Sequence, residues 1–245
     1  MNNPIKFIHL WSGPRNISTA LMYSFSQRND TKVVDEPLYA HYLHKTGIDH
    51  PGRDETLKSQ PIESELAIKN LLSIDTHPVV FAKHMTHHLL DIDKSFMQQA
   101  YNILLIRHPA KVLTSYSKVI ESPVLEDIGI QETVTLYKYL EAQKVPTIII
   151  DGDELKTNPE KHLKVICNFC QIEWNPAMLK WNAGPISEDG VWAKFWYAKV
   201  HQSIGFEAPQ EESTKCPPHL QPVLDEAMPH FNFLSKINSH HATNL

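Results

Sequence analysis

Residues 8–25, IHLWSGPRNISTALMYSF, set a turn of Gly13, Pro14 and Arg15 directly against an apolar segment that begins with Ser18 and Thr19. Unpaired backbone N–H groups at a helix N-terminus attract anions. Arg15 adds a planar cation matched to phosphate oxygens, and the hydroxyls of Ser18 and Thr19 add further donors. Together they make a phosphate cradle. The second glycine and the lysine of a nucleoside-triphosphate loop, G-x-x-x-x-G-K-[S/T], are missing from it.

A second group lies in LLIRHPAKVLTSYS, where Arg107 ends an apolar run, Pro109 suits the first helical position and Ser115 follows eight residues after Arg107. The two motifs, each after a strand and before a helix, resemble those of the sulfotransferases that use 3′-phosphoadenosine 5′-phosphosulfate (PAPS) as sulfuryl donor. In that family a [K/R]-S-G-T-[T/S] loop holds the 5′-phosphosulfate and an R-x-P…S segment holds the 3′-phosphate. The resemblance covers residues 5–151 and implies that Arg15, Asn16, Ile17, Ser18 and Thr19 form the first site and Arg107 and Ser115 the second. It implies PAPS as co-substrate, no metal, and a hydroxyl or amine on a small-molecule or glycan acceptor. Three departures stand out. Asn16 and Ile17 replace a small Ser-Gly pair, so the loop is expected to lack the positive φ a glycine supplies. Ala20 stands where a Trp often stacks on adenine. The C-terminal R-K-G-x-x-G segment is matched only by PISEDGVWAKFW (185–196), without its basic pair.

Sulfuryl transfer also needs a base, and two strand-end segments offer one. In AKHMTHHLL, Lys83 matches a family lysine that assists at the phosphosulfate, and His87, beside His84 and His88, carries an imidazole that ordinarily titrates near neutrality. In VVDEPLYAHY, Glu36 resembles the glutamate of bacterial members and needs a pKa raised by burial. His87 or Glu36 is therefore the expected base. The acceptor loop is expected in DEPLYAHYLHKTGIDHPGRDE. Trp192, Trp196 and Tyr197 read as a helix packing on the sheet, with an acceptor pocket as the other possibility. A P-loop kinase-like phosphotransferase and a non-catalytic nucleotide-binding module are the alternative functions.

These residues need strand ends to hold them. Apolar runs at 6–11, 32–36, 78–83, 102–108 and 146–151 lack clean alternation, as strands covered on both faces do. Helical patterns fall at about 18–28, 61–74, 92–100, 109–120, 127–144, 158–170, 192–203 and 219–236. Alternating strands and helices predict an α/β three-layer sandwich with a mostly parallel central sheet of about five strands, P-loop-like, whose ligands sit beyond the strands' carboxyl ends. Residues 41–60 and 204–218 read as loops that could act as lids.

At 245 residues the chain suits a single domain over 1–236 with a polar tail at 237–245. A net charge of −5 argues against nucleic acid as a partner. No apolar stretch approaches the roughly 18 to 20 residues of a membrane span, and the N-terminus lacks a signal-peptide pattern, so a cytoplasmic protein is expected. Cys167 and Cys170 form a C-x-x-C inside a helical apolar face and read as core residues. HYLH (41–44) and HMTHH (84–88) lack the third ligand or the glutamate of a metal site.

Overall fold

The computed structural model describes residues 4–207 and 216–244, the side chains of 239–244 excepted. In chain order it holds β1 (Lys6–Ser12), α1 (Ser18–Phe25), β2 (Thr31–Asp35), α2 (Tyr39–Thr46), α3 (Arg53–Ser59), α4 (Ser64–Leu72) and β3 (Val79–Met85). There follow β4 (Tyr101–Ile106), α5 (Pro109–Tyr116), α6 (Leu125–Ile128), α7 (Ile130–Ala142), β5 (Thr147–Asp151) and α8 (Gly152–Thr157). Last come α9 (Pro159–Phe169), α10 (Ala193–Trp196), α11 (Ala198–Gln202) and α12 (Gln221–Asn244).

The five strands form one parallel sheet in the order β2-β3-β1-β4-β5. Side chains alternate across it, and both faces are apolar. Ile8, Leu10, Phe81, Ile103, Leu105 and Ile150 point into a core shared with α1 and α9, where Phe25 stacks on Phe81 at 4.0 Å. Trp11, Leu104, Ile106 and Ile149 point into a second core with α5, α7 and α12. This is why the strands read as continuous apolar runs. The helices that follow the neighbouring strands β1 and β4 thus leave on opposite faces of the sheet. That divergence opens a crevice at their carboxyl ends, where ligands of open parallel sheets bind.

Gly13 is fixed by this packing: a Cβ on it would lie 1.9 Å from the Ile128 carbonyl oxygen, so only a bare backbone passes beneath α6. The expected strands agree with the structure to within two residues, whereas several helices differ. The segment 41–60, expected as a loop, carries most of α2 and all of α3, separated by turns at Gly47 and Gly52 that both take positive φ. The expected helix at 92–100 is only a short 3₁₀ turn, because the Asp93 carboxylate captures the Ser95 N–H and hydroxyl. Gly129, at φ 66°, divides 127–144 into α6 and α7. The pattern at 192–203 likewise divides into α10 and α11. Of the expected loop at 204–218, residues 208–215 lie outside the described residues. The last helix runs to Asn244, through the segment expected as a tail. No helix among the described residues is long and apolar enough to cross a membrane.

Candidate active site

The loop from β1 to α1 folds tightly through two left-handed residues, Arg15 at φ 62° and Ile17 at φ 61°. The expectation that Ile17 forgoes the glycine conformation is overturned. A β-branched residue is an outlier there, and such strain of about 1–3 kcal/mol persists only where surroundings over-determine it. The surroundings are visible: Asn16 donates its side-chain N–H to the Leu105 carbonyl at 3.3 Å, and Gly152 of α8 packs close under the Asn16 carbonyl and the Ile17 side chain. Ile17 is also the N-terminal cap of α1 and makes no side-chain capping bond. The helix's first N–H groups are left to whatever anion enters.

The two motifs read from sequence meet here. Arg15 Nε donates to Ser115 Oγ at 2.9 Å, and Arg107 Nη1 donates to the Arg15 carbonyl at 3.2 Å. Burial and the neighbouring Arg107 charge both lower the pKa of Arg15, so two guanidinium groups share a site that favours anions. Asp153, at the start of α8, accepts from Arg107 Nε at 3.1 Å and pairs with Lys111 at 3.1 Å. Burial opposes the Asp153 charge, but these cations outweigh it and hold its pKa below the usual carboxylate value.

A cavity of about 200 Å³ opens at this point, and Arg15, Ile17, Ser18, Thr19, Arg107 and Ser115 all line it. Of the expected donor-site residues, Asn16 alone is turned into the protein, where it is buried. The far wall contains Glu36, Tyr39, His50, His87, His88 and Trp192, with Trp196 and Tyr197 beside them. Trp192 and Tyr197 therefore satisfy both readings at once: they are buried core residues and cavity wall.

Lys83 does not line the cavity. β3 continues two residues past it, which places it below the floor, fully buried. Its ammonium donates to Asp35 at 2.9 Å, to Glu36 at 2.5 Å and to the Tyr197 hydroxyl at 2.7 Å. Tyr197 donates to Asp35 at 2.8 Å and accepts from Trp192 Nε1 at 3.2 Å. Burial alone would lower the Lys83 pKa; Asp35 and Glu36 outweigh it and leave the lysine charged. Burial raises the Glu36 pKa despite Lys83, so this carboxylate, held at φ 39° on the cavity wall, is a stronger base than an exposed one.

The histidines behave differently. His87 lines the cavity, but burial lowers its pKa to about 3, and its Nδ1 has no hydrogen-bond partner among the described residues. His88 is sandwiched by Tyr39 and Tyr42 at 4.9 and 4.7 Å, and burial drives its pKa well down. His84 points to the opposite face, stacked on Trp11 at 4.1 Å with its Nε2 3.0 Å from His9 Nδ1. His41 has both ring nitrogens against carbonyl oxygens. No group of three or more His, Cys, Asp or Glu among the described residues is arranged to hold a metal. Cys167 and Cys170 are free and buried, and burial pushes the Cys167 thiol up to about 11.

Tyr39, His50, Lys156 and Lys199 were not individually legible. Tyr39 and His50 lie within the expected acceptor segment, but the stacking of Tyr39 on His88 and its contact with His50, which hold them at the cavity, are tertiary. Lys156 on α8 and Lys199 on α11 line it from parts of the chain with no motif. The available signal for Lys156 was its place in the segment just beyond the carboxyl end of β5, where ligands of such sheets sit.

The parallel order β2-β3-β1-β4-β5 with a tight turn from β1 into α1 is a P-loop-like α/β architecture. Residues 5–237 match the family model of the sulfotransferase domain, and the chain belongs to that family. It is 40% identical over 229 residues to branched-chain-amino-acid aminotransferase-like protein 1 of Arabidopsis thaliana, covering 93% of this chain and 41% of the plant protein. The chain thus spans less than half the length of the curated relatives it matches. Among solved structures, the sulfotransferase domain of the Synechococcus PCC 7002 olefin synthase superposes with TM-score 0.62 at 18% identity, covering 95% of this chain and 96% of that one. A sulfotransferase from Alicyclobacillus acidocaldarius gives 0.55 at 10% identity, covering 98% and 97%. At these identities the likeness is one of fold.

Proposed function

We propose that this domain transfers a sulfuryl group from PAPS to a hydroxyl of a small acceptor, with Glu36 as the base. One observation carries the reading: Arg15, Ser115 and Arg107 converge on one side of a cavity whose other side presents a carboxylate of raised pKa. Arg15, Ser18 and Thr19, with the open α1 N-terminus, bind the 5′-phosphosulfate. Arg107 and Ser115 bind the 3′-phosphate. Lys156 lines the same cavity and supplies a cation in a chain whose C-terminal segment lacks the family's basic pair.

The acceptor oxygen attacks sulfur as the bond from sulfur to the 5′-phosphate oxygen breaks. Arg15 meets the negative charge that grows on that leaving oxygen, a preorganised donor in a partly dry site. Glu36 takes the hydroxyl proton. Lys83, Asp35 and Tyr197 position Glu36 and touch none of the reacting atoms. His87 stays neutral throughout the physiological range, which suits it to a hydrogen bond with the acceptor better than to net proton uptake.

Calorimetric titration with 3′-phosphoadenosine 5′-phosphate, against AMP and ATP without magnesium, tests the donor. Preference for the 3′-phosphorylated nucleotide is expected; preference for ATP overturns the reading. Glu36→Gln should lower turnover by roughly a hundredfold or more while nucleotide affinity is retained. Unchanged turnover would move the base elsewhere.

A further inference from the structure

One wall of the cavity is an arc of rings whose last member, Tyr116, lies close enough to Arg15 to feel its charge. Trp192 meets Tyr39 edge-on at 5.2 Å, Tyr39 meets His50 at 6.1 Å, His50 meets Trp196 at 6.1 Å, and Trp196 meets Tyr116 at 6.5 Å. All five line the cavity. The Tyr39 hydroxyl lies 3.0 Å from His50 Nδ1, which fixes the two rings relative to each other. Neighbouring rings differ in orientation by 34–86°, so the arc offers both faces and edges.

Charge is divided across the same cavity. Its cations are Arg15, Arg107, Lys156 and Lys199 among the described residues. The two arginines lie at the donor loops, and Lys199 is turned to Glu207, 3.7 Å away. The arc itself contains no cationic side chain: Arg15 acts on its Tyr116 end, and carboxylates act on Tyr39, His50 and Tyr116. Glu36 stands on its wall. Asp127 and Asp49 act on His50, and Asp127 acts on Tyr116 as well. Burial nevertheless keeps His50 on the neutral side of its ordinary pKa, so the imidazole adds no positive charge of its own.

We infer that the acceptor is a cationic amino alcohol, its ammonium seated in the Trp192–Tyr39–His50–Trp196 cup and its hydroxyl turned toward Glu36. The inference rests on the sulfotransferase reading of the site. Aromatic faces attract an ammonium through their quadrupoles, most strongly where water is excluded, and quaternary ammonium groups are recognised by such cups. An anionic group seated between Trp192 and Trp196 would instead lie near Glu36, Asp49 and Asp127.

The test uses three probes on the protein saturated with 3′-phosphoadenosine 5′-phosphate: choline, its uncharged isostere 3,3-dimethylbutan-1-ol, and the anionic hydroxy acid glycolate. Calorimetry should give choline an affinity on the order of tenfold or more above the isostere, with glycolate weakest. Trp196→Leu should bring the choline-to-isostere ratio toward one, and Trp196→Phe should largely keep it, which a merely structural role would not do. Equal or tighter binding of the isostere, preference for glycolate, or binding of none of the three by the nucleotide-loaded protein overturns the inference. If the nucleotide itself fails to bind, the donor reading has failed, and choline against the isostere on the free protein then decides the cup alone by the same ratio.

Discussion

Lys83→Met isolates what the buried lysine does. The substitution keeps the volume and removes the charge that Asp35 and Glu36 share, leaving two carboxylates below 10% exposure with Tyr197 and the Gly190 N–H as their donors among the described residues. Breaking a buried ion pair by deleting one partner costs about 3–5 kcal/mol. Part of that is recoverable by acid. Glu36 already has a folded pKa above its unfolded value, and loss of Lys83 removes an influence that lowers it. A carboxylate raised in the folded state binds more protons when folded, so its contribution to stability falls as pH rises from the unfolded pKa through the folded one. The variant should therefore gain stability on acidification from pH 8 to 5.5, by up to about 1.4 kcal/mol per pH unit for each proton taken up. Urea unfolding midpoints for wild type and variant across that range measure it. Affinity for 3′-phosphoadenosine 5′-phosphate should stay within about twofold, because Lys83 lies beneath the cavity floor. A variant destabilised by less than about 1 kcal/mol with a flat pH response, or one that loses tenfold in nucleotide affinity, would refute the positioning role.

Arg107→Ala should weaken 3′-phosphoadenosine 5′-phosphate by roughly tenfold to more than a hundredfold while leaving AMP nearly unchanged, since a charged hydrogen bond contributes about 1.5–3 kcal/mol; calorimetry with both nucleotides checks it. Ile17→Gly relieves a left-handed residue but frees the unfolded chain and removes packing on Gly152, so thermal stability should move by less than about 1 kcal/mol while nucleotide affinity falls. The wild-type pH-rate profile should have one acid limb from Glu36, with activity rising as that carboxylate deprotonates; His87→Asn should leave the limb in place, because an imidazole near pKa 3 is already neutral there.

The strands and the two strand–turn–helix motifs that meet at the cavity were legible because each is a local event: an apolar run, a turn, a helix start. What escaped was set by distance in the chain. Lys83 reads as a strand-end cation until β3 is seen to extend to Met85 and pair Lys83 with Asp35 of β2. His87 reads as a base near neutrality, because the sequence does not reveal the burial that lowers it. Ile17 carries a residue type that argues against the conformation it adopts, and only the contacts from Leu105 and Gly152 to its loop account for it. The cavity wall at Tyr39, His50 and Trp192 joins segments some 140 residues or more apart at its extremes, which periodicity cannot connect.

Trp192 and Tyr197 stand in the main core and in the cavity wall at the same time, with 2% and 5% of their surfaces exposed. Any mutation that reshapes the cavity at these two positions also removes a large buried ring, at a typical cost of about 3–5 kcal/mol for a change to alanine. His50 and Trp196, only partly buried, carry no such burden. Stability and cavity shape are thus tied together at the buried rings and separable at the partly buried ones, so laboratory selection for an altered cavity should accumulate its first substitutions at His50 and Trp196.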